Sequence, residues 1–463
     1  MTTKGIFKSK SEQAFVNKEV SINKESLVKL VWPIFIENIL TMMVGNIDQY
    51  MVKSYSENAV GAIGNANQII NLLLIMFTII SMSTTILVSQ YIGSNNKQKL
   101  SIIYTLSIVV NLLFSLIISL IILLFSERIF SFMKVPTEIF ADANSFIKWI
   151  GGFIFLQGLI ATFSAIFRSN RRMKETMIIS VFINLVNLAG NILLVNGFGP
   201  IPALGVTGSA IATNMSRLVG VIIYIILFIK RFETKITLRI LRPFPWQDLK
   251  KLLRIGVPSG GEALSYSMAM TFIMKVVNSF GTFVINTKVL SSTFAWFSNM
   301  YAVSVGQASQ VVVGNYMGAG RVDMVNRRVM KTLRDSVMVA ILMSLTMFIF
   351  SDLLFGIFSS NPNVLELGKK ILLVEVFLEI GKCSNVVLVR SLQAAGDIKF
   401  PMLIGVVSMW TVAFGLGFFL CVVCKLGLVG IWIAMALDED IRAVIFLIRW
   451  KRGKWKNIRL TND

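Results

Sequence analysis

Apolar stretches of about twenty residues recur along nearly the whole chain, and each is long enough to cross ~30 Å of hydrocarbon. Twelve of them fall near 28–52, 60–92, 101–125, 144–167, 176–196, 205–229, 255–274, 283–316, 336–358, 371–391, 401–424 and 427–448. Inside lipid the backbone has to satisfy its own hydrogen bonds, so runs of this length predict helices. Barrel strands would show a ten-residue alternation, which the sequence lacks. The second and eighth runs are longer than a bilayer needs, which predicts tilt, bending or projection beyond it.

Composition agrees with this pattern: of 463 residues, 55% are hydrophobic and only 15% charged, against roughly 25% charged in soluble domains. The first 27 residues are polar and lysine-rich, without an apolar core or a small-residue cleavage site, so they read as a tail rather than a signal peptide. A net charge of +21 raises the question of nucleic acid. Most Lys and Arg, however, lie in the tails and the even-numbered loops, including 168–174, 230–254 and 321–334. Basic residues alternating in step with apolar runs are the positive-inside signature, which places both termini in the cytoplasm and speaks against a phosphate-binding patch. The chain has no histidine, which excludes a histidine proton relay or a histidine-held zinc centre. Cys421 and Cys424 lack a second pair and read as small packing residues.

The sequence also repeats itself. Pro33 opens the first run and is followed by Glu37; Pro258 opens the seventh, 225 residues later, and is followed by Glu262. At the same offset Gln90, Tyr91 and Gly93 correspond to Asn315, Tyr316 and Gly318, each set closing a long run. Leu204, Gly205 and Gly208 correspond to Leu426, Gly427 and Gly430 at offset 222. Six runs per half is an even number, so the halves enter the membrane in the same orientation and are related by an axis along its normal. The expected fold is an all-α polytopic membrane protein, twelve transmembrane helices in two six-helix bundles related by pseudo-two-fold symmetry. The expected division is a tail at 1–27, lobes at 28–230 and 255–449, a basic linker at 231–254 and a tail at 450–463. Such a design suits a carrier that binds its cargo between the lobes and rocks; a duplicated channel or membrane enzyme is the alternative on architecture alone.

Ionisable groups at bilayer depth each need a partner or a function. Glu37 and Asp48 lie eleven residues apart on the first helix, within ~20° of one face. Glu37 reads either as a cavity acid or as a hydrogen-bond partner for a neighbouring helix, and Asp48 as a cavity acid or an interfacial one. Glu262 occupies the position equivalent to Glu37, which predicts a cavity lined by acids from both halves. Pro33 and Pro258 predict kinks beside them. In the fifth run Asn184, Asn187 and Asn191 carry amides, the last two at i, i+4; they either complete an oxygen shell for a cation beside Asp48 or bond helices together. Glu375, Glu379 and Lys382 fall within two turns of the tenth run, where Glu379 and Lys382 predict a structural ion pair; Asp438, Glu439 and Arg442 read in the same way. Arg217 and Lys148 have no partner visible in the sequence. Tyr266, Met268, Met270, Phe294, Trp296 and Phe297 either line an adaptable pocket or simply pack.

These residues together resemble the multidrug and toxic compound extrusion (MATE) transporters across essentially all twelve runs. The resemblance rests on the proline-led first helix with Asp48, on 59–64 opening the second run, on Gln90 to Gly93 closing it, on 392–397 and on 430–434. It implies a plasma-membrane antiporter, monomeric and without cofactor, that exports lipophilic or cationic compounds in exchange for protons or sodium. It further implies a cation-coupling set of Asp48, Asn187, Asn191 and Glu37, and a substrate cavity that includes Glu262, Tyr266 and Trp296. Asn191 stands where some members carry an aspartate, and Lys382 stands near an aspartate of others. The implied cycle has Asp48 take up a proton or cation from outside, the first helix bend, and the drug leave. Two rivals are a lipid-linked oligosaccharide flippase of the same superfamily and a membrane-embedded enzyme. The acidic cavity argues against the first, and the lack of a nucleophile–base or metal constellation against the second.

Overall fold

The computed structural model describes residues 27–463 except 54, 198, 201, 459 and 461–463; the tail expected at 1–27 lies, but for Leu27, outside the described residues. Among them are fourteen α-helices and no strand. In chain order α1 is Leu27–Lys53, α2 Glu57–Gly93, α3 Lys97–Phe132, α4 Thr137–Gly152, α5 Phe155–Ser169, α6 Met173–Leu194 and α7 Gly205–Arg231. The second half holds α8 Trp246–Val277, α9 Thr282–Gly318, α10 Val322–Ile349, α11 Ser351–Gly356, α12 Pro362–Ala394, α13 beginning at Lys399–Ser408, and α14 Gly427–Lys451.

All twelve apolar runs lie on these helices. Seven helices, or eight counting a bent pair, are long and apolar enough to cross a membrane by length and composition alone. Several that fall short, such as α12 and α14, carry the acids and bases of the second half, so the residues that weaken the hydropathy signal are the candidate chemistry itself. The fourth run, expected as one span at 144–167, is the pair α4 and α5, which bend by 46° at 153–154. The ninth run begins earlier than expected, because α10 opens with a charged stretch from Val322 that carries Arg327, Arg328, Lys331 and Arg334. The eleventh run widens into π-helical turns at Met409–Leu416 and Phe419–Val423. Pro33 and Pro258 both sit inside continuous helices. After Lys451 the chain turns back, and Trp455 is buried against Trp450 with ring centroids 4.2 Å apart.

Within the first lobe α1 packs on α6, and α6 on α7; within the second α9 and α14 both pack on α12. The lobes meet where α2 crosses α8 and α9, and where α1 crosses α9. Lipid gives no hydrophobic drive for helices to associate, so close approach depends on small residues. The repeat supplies them reciprocally. A Cβ on Gly93 would lie 2.1 Å from the Asn315 carbonyl oxygen, and one on Gly318 would lie 1.9 Å from the Gln90 carbonyl oxygen. Each motif's glycine therefore seats the other motif's first carbonyl. This clasp lies at the end of the molecule that carries the basic loops, and a buried cluster of Leu30, Val31, Ile34, Val305, Val312 and Val387 fills the seam near it.

Candidate functional site

Asp48 is buried at the far end of α1 from the clasp. Its Oδ1 accepts hydrogen bonds from Asn187 Nδ2 at 3.1 Å and Asn191 Nδ2 at 2.8 Å, and its Oδ2 accepts from Thr213 Oγ1 at 2.7 Å. The cage is cross-braced: Asn187 Nδ2 also donates to Thr213 Oγ1 at 3.0 Å, and Asn191 Nδ2 to Asn187 Oδ1 at 3.3 Å. Asn187 and Asn191 reach the acid together because they are one turn apart on α6, the helix packed along α1. Of the two uses the sequence left open for these amides, the structure shows N–H groups, not oxygens, turned to the carboxylate. Asn184 bonds back to the Ser180 carbonyl at 2.8 Å instead.

The sequence did not single out Thr213, and it left Arg217 without a partner. Both lie on α7 at i, i+4, and the Arg217 guanidinium and the Asp48 carboxylate attract one another inside the lobe. Two polar atoms around this cage, Asn191 Oδ1 and Arg217 Nη1, are buried without a hydrogen-bond partner. Polar residues one turn apart on an otherwise apolar helix were the available signal. Lys148, also unassigned from sequence, pairs with Glu127 at 2.7 Å.

Glu37 is buried too but belongs to a separate group. It accepts from Ser164 Oγ at 2.6 Å and Thr176 Oγ1 at 2.8 Å, and Arg168 Nε stands 3.9 Å away. Arg168 in turn donates to Gln307 Oε1 of the second lobe at 2.6 Å. The structure thus ties Glu37 to the seam between lobes and gives it no bond to Asp48.

In the second lobe, ionisable side chains from α12 and α14 form one network. Lys382 Nζ lies 3.1 Å from Glu379 Oε1, and Ser298 Oγ donates to Glu379 Oε2 at 2.7 Å. Glu375 accepts from Trp432 Nε1 at 2.7 Å, leaving its other oxygen buried and unbonded. Arg442 bridges Asp438 and Glu439; Asn385 donates to Glu439 and Ser408 to Asp438. Glu262 and Tyr266, one turn apart on α8, face this network: Arg442 and Glu439 act on both, Arg390 on Glu262 and Lys382 on Tyr266. Glu262 lies against Gly405 of α13, and Tyr266 is 41% exposed. Trp296 is half-buried on α9 and meets Phe297 edge-on at 6.3 Å.

Two helical lobes with buried ionisable side chains inside each define a multi-pass membrane transport protein. A sequence model of the MatE family matches residues 33–193 and 258–419, one match in each lobe. A Bacillus subtilis transporter, YisQ, described as uncharacterized, is 35% identical across 93% of this chain and 94% of its own. A multidrug resistance protein named NorM, from Thermotoga maritima, is 27% identical across 95% and 94%. Among solved structures, the Vibrio cholerae MATE transporter VcmN in its bent form superposes with a TM-score of 0.83 at 18% identity, covering 92% and 95%. The chain belongs to the MatE family of transporters.

Proposed function

We propose that this protein is a secondary active multidrug efflux antiporter of the plasma membrane, exporting lipophilic or cationic compounds in exchange for protons or sodium. The observation that carries the reading is Asp48, an acid buried within one lobe and held by neutral donors, whose charge changes with the coupling ion. The clasped end, with its basic loops, is assigned to the cytoplasm together with both termini, so the lobes part towards the outside. In this reading the protein works as a monomer, with lobes at 28–230 and 255–449 joined by the linker at 231–254 and flanked by tails at 1–27 and 450–463.

Asp48, Asn187 and Asn191 form the coupling site. Glu37 relays the state of α1 to the seam through Arg168. Substrate sits against Glu262 and Tyr266, with Trp296 towards the outer mouth, and the Glu379–Lys382 pair holds α12 rigid. Loading Asp48 removes a negative charge from the cavity and releases a cationic drug; unloading on the inside restores it. The test is efflux of ethidium from proteoliposomes under separately imposed proton and sodium gradients. Efflux driven by either gradient supports the reading, and ethidium that moves under neither defeats it.

A further inference from the structure

Arg217 is the charged residue that the proposed cycle leaves unused. It sits one helical turn beyond Thr213, whose hydroxyl bonds Asp48, and its Nη1 is buried without a partner. Among the described residues, α6 turns only neutral amides to Asp48, α2 and α9 place no charge against it, and Arg217 of α7 is the single charge acting on it. An ionised Asp48 and Arg217 therefore sum to zero within the lobe. No cluster of three or more His, Cys, Asp or Glu among the described residues offers a metal ion a second acid there.

We propose that Arg217 is a tethered counter-ion of Asp48 that takes the place of a metal cation, so that the site cycles with a proton and not with sodium. This rests on the antiporter reading above. A metal ion would have to turn three N–H and O–H donors away from the carboxylate, gather several further oxygens, and add its charge beside a guanidinium. A proton needs no such shell. It forms one O–H bond on Asp48 Oδ1, drawn from water on the outer side and returned to water on the inner side, and that hydroxyl needs one acceptor. The orphaned Asn191 Oδ1 provides it: rotating the amide by half a turn exchanges donor for acceptor at the 2.8 Å contact. With Asp48 neutral, Arg217 becomes an uncompensated positive charge, and a cationic occupant is driven off. Arg217 is thus a specificity-determining residue for the coupling ion.

The test uses the full-length protein and the variants Arg217→Gln and Arg217→Lys. In detergent above neutral pH, wild type and Arg217→Lys retain no radioactive sodium, whereas Arg217→Gln retains it and loses it when Asp48→Asn is added. In proteoliposomes, ethidium binds Arg217→Gln roughly tenfold more tightly, as removing one unit charge at ~10 Å through an effective dielectric of ~20 requires. Asp48-dependent sodium retention by wild type overturns the assignment, as does an Arg217→Gln variant as indifferent to sodium as wild type. Arg217→Lys, which keeps the charge, covers the case in which Arg217→Gln does not fold: sodium retention by Arg217→Lys also overturns it. If the sodium pattern holds but no gradient moves ethidium, the drug-efflux reading falls and Arg217 keeps its role.

Discussion

At the scale of single residues, the cage around Asp48 makes a graded prediction. Asp48→Asn keeps the side chain's size but cannot change charge, so gradient-driven efflux in proteoliposomes disappears while the protein still purifies as a folded monomer. Coupled efflux by Asp48→Asn at the wild-type rate would remove Asp48 from the mechanism. Thr213→Val is milder. It deletes one donor to a charged oxygen, a bond worth about 1.5–3 kcal/mol, and strips Asn187 of its second acceptor. Coupled efflux should drop by about tenfold or more, since ~1.4 kcal/mol is one decade, while Thr213→Ser retains it. Asp48, Asn187 and Asn191 were legible in the sequence because an acid and two amides one turn apart are rare in apolar helices and each needs a reason to be there. Thr213 was not, because a helical threonine ordinarily bonds the carbonyl one turn back, as Thr84 does to Ile80, and nothing local shows when it does otherwise. Arg217 was visible as a buried charge, but its counter-ion lies on another helix, 169 residues earlier in the chain.

Among helices, the repeat read from Gln90–Gly93 and Asn315–Gly318 turned out to be more than a mark of duplication, since the two copies touch. Sequence could locate both motifs at the ends of long helices but not show that they meet, because contact depends on how the lobes pack across the axis. The contact puts opposite demands on the chain's glycines. Gly318→Ala would place a carbon 1.9 Å from the Gln90 carbonyl oxygen, whereas Gly356→Ala and Gly64→Ala meet nothing within 4 Å. The first forces α2 and α9 apart at the basic end; the others serve as controls. In a background lacking Cys383, Cys421 and Cys424, a disulfide between Ser94→Cys and Ala319→Cys should form readily and fail when Gly318→Ala is added. Efflux should fail with it, because a carrier that cannot close one end leaks its gradient. Undiminished cross-linking in the Gly318→Ala protein would mean that the clasp is slack. The break between α4 and α5 shows a different limit of sequence reading. Neither proline nor a turn motif marks residues 153–154, and the apolar run continues through the bend without interruption.

For the whole molecule, the question is what holds the lobes together at one end and lets them part at the other. The side-chain hydrogen bonds across the seam run from mid-depth to the basic end: Asn38 to Ser304 at 3.0 Å, Arg168 to Gln307 at 2.6 Å, and Gln90 to the Ala394 carbonyl at 2.7 Å. Asn38 adjoins Glu37 on α1, and Arg168 stands beside Glu37's carboxylate, so two of the three bonds report on the helix that also carries Asp48. Polar bonds between membrane helices are worth only about 0.6 kcal/mol each on average. A latch of that strength suits a carrier, being enough to bias the closed state yet weak enough to break in every cycle. Removing two bonds, in the double variant Asn38→Ala, Gln307→Ala, should shift the balance by about 1.2 kcal/mol, or roughly eightfold in population. Spin labels on the two lobes at the basic end would show this as growth of a longer-distance population, and a thiol reagent added from that side would reach the seam faster. Glu37→Gln should give a smaller shift in the same direction, since it loosens Arg168 without deleting its bond to Gln307. A distance distribution unchanged in the double variant would assign closure to the glycine clasp and the apolar seam alone, leaving Glu37 a structural acid with no part in the cycle.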